Sequence, residues 1–193
     1  MKTEFEVRIL DVSFETMIQK LKEAGAKQVG VFYQKRYTYD FIPPRKGQWV
    51  RLRSNGQKTT LTIKEVKTQS IDGTKELEII VSDFEDTNLI LEKLGYKAYS
   101  FEENFRITFT LGKVEIALDK WPKIPSLMEI EGESEEDVFK FLNLLGIGKN
   151  DVITKGIKTL YKEIYDIDLD SEANRNLMFS SEEIKFVKQF KRD

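Results

Sequence analysis

The chain of 193 residues contains no cysteine and no histidine. These absences exclude a disulfide framework, a zinc site built from Cys or His ligands, and any catalytic triad that uses His as its base. A metal ion in this protein would therefore lie among carboxylates, and oxygen ligands suit hard cations such as Mg²⁺, Mn²⁺ or Ca²⁺. The length suits one domain, or one domain with an appendage.

Long apolar runs are also absent, and the first residues are charged. Neither a signal peptide nor a membrane span is indicated, so we expect a cytoplasmic protein with no membrane partner. The formal net charge is -2. Because the basic residues are interleaved with carboxylates rather than gathered in a patch, the sequence argues against nucleic-acid binding.

Charged and apolar residues alternate near the start of the chain. Glu4, Glu6 and Arg8 would share one face of an extended strand, with apolar residues on the other face. The same two-residue period recurs in the segments 50–53, 61–64, 76–79, 105–108, 114–119 and 128–131. In one sheet, these strands would present an almost wholly ionic face. That face would look either into bulk water or into a closed barrel, and periodicity does not decide between them.

Helical patterns separate the strands. Ser13, Ser82 or Asp83, and Ser134 are candidate N-caps for three of them, and a fourth helix is expected within residues 155–165. A fifth amphipathic helix is expected after Ser180. Short turns of the antiparallel kind join the strands, so the sequence predicts an α+β fold with helices covering a sheet.

An ordered series of charged motifs runs through the chain. The motifs are Glu4-x-Glu6-x-Arg8, Tyr39-Asp40, Arg51-x-Arg53, Thr62-x-Lys64, Glu76-x-Glu78, Arg106, Asp119 and Glu129-x-Glu131. In this order and spacing the chain resembles the CYTH, or triphosphate tunnel metalloenzyme, superfamily over roughly residues 2–165. The resemblance implies a closed or nearly closed antiparallel β-barrel of eight strands, a tunnel whose ionic face points inward, with helices packed outside. Residues 1–166 would form this tunnel domain, and residues 167–193 an appended acidic linker and helix.

The resemblance also implies roles for individual residues. The basic residues would bind the phosphates of the substrate: Arg8, Arg51, Arg53, Lys64, Arg106 and Lys155. Five carboxylates would bind Mg²⁺ or Mn²⁺: Glu4, Glu6, Asp119, Glu129 and Glu131. Glu76 and Glu78 are expected to act in catalysis, by binding a second metal ion or orienting the attacking water, or else to pair with the phosphate-binding residues.

The implied function is a metal-dependent hydrolase of a small triphosphate, such as inorganic triphosphate, thiamine triphosphate or a nucleoside triphosphate. A metal-activated water would attack the terminal phosphorus. One alternative is a class IV type adenylate cyclase that makes cyclic AMP and pyrophosphate from ATP. Another is a non-catalytic module that binds polyphosphate or nucleotides. The protein would be a monomer or a homodimer.

Four residues depart from the family pattern. Arg8 replaces a lysine, and Asn104 stands where the family often has a basic residue. Lys35 and Arg36 occupy a region where an acidic residue is frequent. We expect these two to face solvent at a strand edge, with compensation for the missing cation as the alternative.

Overall fold

The computed structural model describes residues 1–190, which form an α+β fold. Its β-strands are β1 (Lys2–Ile9), β2 (Lys27–Asp40), β3 (Gln48–Ser54), β4 (Thr59–Val66), β5 (Thr74–Val81), β6 (Ala98–Leu111), β7 (Val114–Lys120), β8 (Leu127–Gly132) and β9 (Asn176–Leu177). Its α-helices are α1 (Phe14–Glu23), α2 (Phe84–Lys93), α3 (Glu135–Leu144), α4 (Ile157–Ile164) and α5 (Ser181–Lys188).

The first eight strands close into a barrel. Their order is β2-β3-β4-β5-β1-β8-β7-β6, and pairing of β2 with β6 completes the ring. All these pairings are antiparallel, whereas β9 adds to β6 in parallel. The prediction of an eight-stranded antiparallel barrel with helices outside is confirmed.

Alternation along each strand separates ionic from apolar side chains. Val7, Ile107 and Leu118 point outward into a core shared with α1, α3 and α5. On the opposite side of the barrel, Tyr39 and Leu52 pack with α2. The apolar core therefore lies between the barrel wall and the helices. The residues that alternate with these apolar residues along each strand point into the lumen. Burying each such apolar side chain contributes about 1.5–3 kcal/mol.

Local capping fixes where the helices begin. The side chains of Ser13, Asp83, Ser134 and Ser180 each accept a hydrogen bond from the backbone amide three residues later. Ser180 forms a full capping box with Glu183. These four N-caps agree with the sequence prediction. The fourth helix begins at Ile157, so Lys155 precedes it.

Two loops complete the wall where β1 lacks a strand on one side. β1 pairs with β5 only through residues 2–4. Beyond that point, the Glu6 amide donates to the Ile71 carbonyl at 3.0 Å, and Arg8 forms an isolated bridge with Ile153. These contacts keep the backbone of the Glu-x-Glu-x-Arg segment hydrogen-bonded while its charged side chains remain in the lumen.

The segment after α4 packs on the barrel. Leu169 and Leu177 are buried in one cluster with Trp121 and Leu160, and Val187 of α5 joins the core over the barrel. The proposed division into residues 1–166 and 167–193 stays a prediction, and residues 191–193 lie outside the described part. Within residues 1–190, no helix is both long enough and apolar enough to span a membrane.

Candidate active site

A cavity of about 500 Å³ occupies the lumen of the barrel. Ten of the residues expected in the site line it: Glu4, Glu6, Arg8, Arg51, Arg53, Lys64, Glu76, Arg106, Glu129 and Glu131. They come from β1, β3, β4, β5, β6 and β8. The cavity lies within the size range of small-molecule sites, which is about 300–1,000 Å³.

Arginines crowd one part of the lumen. The neighbouring Arg51, together with burial and with Arg36 on the adjacent strand, lowers the pKa of Arg53 to about 9. The Nε of Arg51 is buried and has no hydrogen-bond partner among the described residues. Buried positive charges that repel one another and leave a donor unpaired favour binding of an anion.

A second group of charges is already paired. Arg106 donates from Nε to Oδ1 of Asp119 at 2.8 Å, and its Nη2 lies 3.2 Å from Oε1 of Glu129. Burial lowers the pKa of Arg106, but these two carboxylates outweigh it and hold the pKa well above its ordinary value. Asp119 is fully buried behind Arg106 and does not line the cavity. Its Oδ1 also accepts from Nδ2 of Asn104 at 3.0 Å.

Lys64 joins two carboxylates. Its Nζ lies 3.0 Å from Oε2 of Glu4 and 3.1 Å from Oε2 of Glu76. Although burial opposes the effect, Lys64 and Arg51 lower the pKa of Glu76 to about 2. Glu76 is therefore an anion at neutral pH.

Glu78 lies outside the group that lines the cavity. Its carboxylate is 3.5 Å from Arg51 and 3.6 Å from Arg53, and it accepts a hydrogen bond from Thr62 at 2.9 Å. The structure therefore places Glu78 against Arg51 and Arg53, and pairing with the expected phosphate-binding residues was one of the alternatives.

Carboxylates face one another across β1, β8 and β7. Glu131 lies opposite Glu6 on one side and opposite Glu115 on the other. Like charges placed directly opposite are destabilising. Burial raises the pKa of Glu6 to about 8. The attraction of Arg8 opposes this rise, and the repulsion of Glu129 adds to it. Burial also raises the pKa of Glu131, although Lys2 opposes the rise.

These oxygen donors have the chemistry that a hard divalent cation requires, because the cation would replace the protons that the crowded carboxylates retain. Within residues 1–190, no three carboxylates converge closely enough to form a ready metal site. Several of them are instead turned toward arginine or lysine, as Glu6 and Glu129 are toward Arg8.

Lys155 departs from the expected arrangement. Its Nζ pairs with Glu163 at 2.6 Å, and its side chain does not line the cavity. Its backbone carbonyl instead accepts a hydrogen bond from Nη1 of Arg8 at 2.9 Å. Lys158, the second residue of α4, lines the cavity and pairs with Asp170 at 2.5 Å.

The strand-edge interpretation of Lys35 and Arg36 is wrong. At these residues β2 pairs with β3 on one side and with β6 on the other, so it has no free edge there. Lys35 faces outward and pairs with Glu85 at 2.8 Å, whereas Arg36 lines the cavity. Strict alternation along the strand was the signal that would have separated the two.

The fold and lumen define a class of protein: a closed antiparallel barrel whose tunnel is lined by opposed basic and acidic side chains. The sequence model of the CYTH domain matches residues 2–157. The chain therefore belongs to the CYTH family.

Solved structures agree with this assignment. The PH1012 protein of Pyrococcus horikoshii OT3 is 25% identical, with a TM-score of 0.69, and the match covers 79% of this chain and 96% of that one. A candidate adenylate cyclase of Vibrio parahaemolyticus is 15% identical, also with a TM-score of 0.69, over 86% of this chain and 99% of that one.

HpAC1 of Hippeastrum, a candidate adenylyl cyclase described as having a dominant triphosphatase activity, is 14% identical with a TM-score of 0.55. That match covers 84% of this chain and 94% of HpAC1. A comparison with curated proteins finds no match.

Proposed function

We propose that the protein is a divalent-metal-dependent hydrolase of a small triphosphate, in which water attacks the terminal phosphorus inside the tunnel. Inorganic triphosphate, thiamine triphosphate and nucleoside triphosphates are the candidate substrates. One observation carries the proposal: buried guanidinium and carboxylate groups line one cavity, and their mutual ion pairs only partly offset the repulsion within each set. A polyanion bound together with divalent cations would relieve both.

The basic residues bind the substrate in this proposal. Arg51, Arg53 and Arg106 present planar guanidinium groups that suit bidentate contacts with phosphate oxygens, and Lys64 adds a point charge. The unpaired Nε of Arg51 is a donor ready for such a contact. Arg8 is held between Glu6 and Glu129 and would contact the substrate where phosphate and metal sites meet.

The carboxylates hold the metal ion. Glu4, Glu6, Glu129 and Glu131 would provide oxygen ligands to Mg²⁺ or Mn²⁺, and Asp119 keeps Arg106 in position from behind. When bound, the metal ion would neutralise phosphate charge and make water more acidic. Phosphoryl transfer depends mostly on positioning and electrostatic stabilisation, so the lack of histidine is no obstacle.

Glu76 would orient the attacking water. It lines the cavity, and its low pKa keeps it as a hydrogen-bond acceptor at neutral pH. Glu78 contacts Arg51 and Arg53. It would therefore affect the attacking water indirectly, by holding these two arginines in position.

Hydrolysis is preferred to cyclisation because HpAC1, which shares this fold, is described with a dominant triphosphatase activity. The likeness to the Vibrio protein keeps cyclisation of ATP as the second candidate. A non-catalytic binding module is the third.

A turnover panel tests the proposal. The purified protein is incubated with each triphosphate in Mg²⁺, Mn²⁺ or EDTA, and released phosphate, pyrophosphate and cyclic AMP are measured. We expect metal-dependent release of phosphate from at least one compound. Cyclic AMP with pyrophosphate would support the cyclase instead, and binding without turnover would support the binding module.

A further inference from the structure

Arg36 is a buried cation of the lumen that forms no ion pair within residues 1–190, although Glu102 lies opposite it across the β2–β6 pair. It is 7% exposed and lines the cavity. The ion pairs formed within residues 1–190 include Arg51, Arg53 and Arg106 but not Arg36. Its Nε is buried without a hydrogen-bond acceptor. An unpaired buried guanidinium is costly, so its retention calls for an anion that is bound at least part of the time.

Neutral groups hold Arg36 in place. Its guanidinium lies over the Trp121 ring, 4.4 Å from the centroid. Its Nη2 donates to Oε1 of Gln34 at 3.2 Å and to Oδ1 of Asn104. Asn104 is fully buried and is held in turn by Asp119. These contacts fix the plane of the guanidinium without cancelling its charge.

The position of Arg36 places it with the phosphate-binding arginines. It lies opposite Arg53 across the β2–β3 pair. Burial lowers the pKa of Arg36 to about 10; Glu102 opposes the decrease, and Arg51 and Arg106 add to it. The four guanidinium groups therefore share one region of the lumen and repel one another.

We propose that Arg36 is a further phosphate-binding residue, oriented by Trp121 and by the chain of contacts from Asn104 to Asp119. This inference rests on the proposed function, because it assigns the anion to the same triphosphate. Arg36 supplies charge on the β2 side of the cavity; Glu102 lies opposite it on β6, and Asn104 lies opposite Gln34. Its rigid, planar group fits a phosphate with two free oxygens.

Binding of inorganic tripolyphosphate in EDTA, measured by isothermal titration calorimetry, tests the inference without turnover. We expect Arg36→Gln to weaken binding at least about tenfold, because a charge-assisted contact is lost. Lys35→Gln, its neighbour on the outer face, should bind as the wild type does. Arg36→Lys, which keeps the charge but loses the fork, should lie between them. Adding Asn104→Lys to Arg36→Gln should restore part of the affinity by returning a cation to the same place.

Two results would overturn the inference. The first is equal affinity in Arg36→Gln and Lys35→Gln. The second is a loss of binding in Arg36→Gln and Arg36→Lys that is proportional to a fall in the unfolding temperature of each ligand-free variant. Arg36 would then have a structural role. Failure of the wild type to bind any triphosphate contradicts the proposed function itself, whereas tight binding by the wild type and Arg36→Gln alike contradicts this inference alone.

Discussion

Single residues of the lumen carry a charge state that depends on what occupies the cavity. Glu6 shows this most clearly, because burial raises its pKa while Arg8 and Glu129 act on it in opposite directions. A group in this position exchanges a proton for a cation readily. In the proposed function, a bound cation would therefore change the charge state of Glu6.

Replacing Glu6 with glutamine should weaken metal dependence while preserving the fold. The change nearly keeps the shape but removes one ligand charge, so the Mg²⁺ or Mn²⁺ concentration giving half-maximal activity should rise at least about tenfold. The unfolding temperature of the metal-free protein should change little at pH 7, because burial raises the pKa of Glu6 to about 8 and glutamine resembles the neutral carboxyl group. Activity titrations with each metal measure the first effect.

Glu133→Gln is the matched control for this experiment. Glu133 is exposed on the outside and pairs with Lys113 at 3.0 Å, so its replacement should leave the metal titration unchanged. A titration of Glu6→Gln that superimposes on this control would remove Glu6 from the metal site.

Alternation along the strands predicted which residues share a face, and the resemblance to the CYTH superfamily predicted that this face lines a tunnel. Arg51, Arg53 and Lys64 lie where a two-residue period places them, because a closed barrel preserves the alternation of every strand. Lys155 was misplaced because it belongs to a loop, where no period constrains the side chain. Arg36 was misplaced because strand pairing on both sides of β2 depends on residues distant in sequence.

The helices and strands also differ in how far the sequence predicted them. Four helix starts were predicted because a cap depends only on adjacent residues. The full lengths of β2 and β6, 14 residues each, were not, because they follow from their pairing with one another. The short β9 gave no sequence signal, since its two residues are placed by packing on β6.

Helix α5 is attached to the barrel through one carboxylate. Glu183 accepts hydrogen bonds from the backbone amides of Ser180 and Lys123, and it pairs with Lys120 at 3.2 Å. Burial raises the pKa of Glu183, but these contacts outweigh it and keep the pKa below its ordinary value. The carboxylate therefore caps the helix and also ties it to the turn between β7 and β8.

Glu183→Gln should lower the free energy of unfolding at pH 7 by about 1–2 kcal/mol, the usual cost of a lost cap and a charge-assisted contact. A carboxylate with a lowered folded pKa stabilises the protein above its unfolded pKa and loses that effect as the pH falls through its folded pKa. The difference from wild type should therefore shrink below about pH 4.5. Urea unfolding at pH 7 and pH 3.5 measures it.

The neighbouring Glu182 provides the control. It is exposed on the same helix, and Glu182→Gln should change stability little at either pH. A stability difference for Glu183→Gln that stays constant from pH 7 to pH 3.5 would show that the charge of the carboxylate is not what attaches the helix.

On the scale of the whole molecule, four arginines of the lumen are segregated to three adjacent strands although the net charge is only -2. Arg36, Arg51, Arg53 and Arg106 come from β2, β3 and β6, while Glu6, Glu129 and Glu131 come from β1 and β8. Both sets of side chains face one cavity. The barrel is stabilised by the apolar cores that its outer surface forms with the helices. A polyanion bound in the lumen would offset the repulsion that remains among these arginines.

This segregation predicts strong stabilisation by a polyanion even without metal. Tripolyphosphate at about 100 times its dissociation constant, in EDTA, should add about 2.7 kcal/mol to the free energy of unfolding. For a chain of this size that corresponds to a rise of about 5–10 °C in unfolding temperature. Orthophosphate at the same ionic strength screens charge equally, but its single phosphate contacts fewer basic groups at once than a chain of phosphates does. Its effect on the unfolding temperature should therefore be much smaller. Equal shifts with the two anions, measured by calorimetry, would mean that the lumen responds to ionic strength rather than to a chain of phosphates.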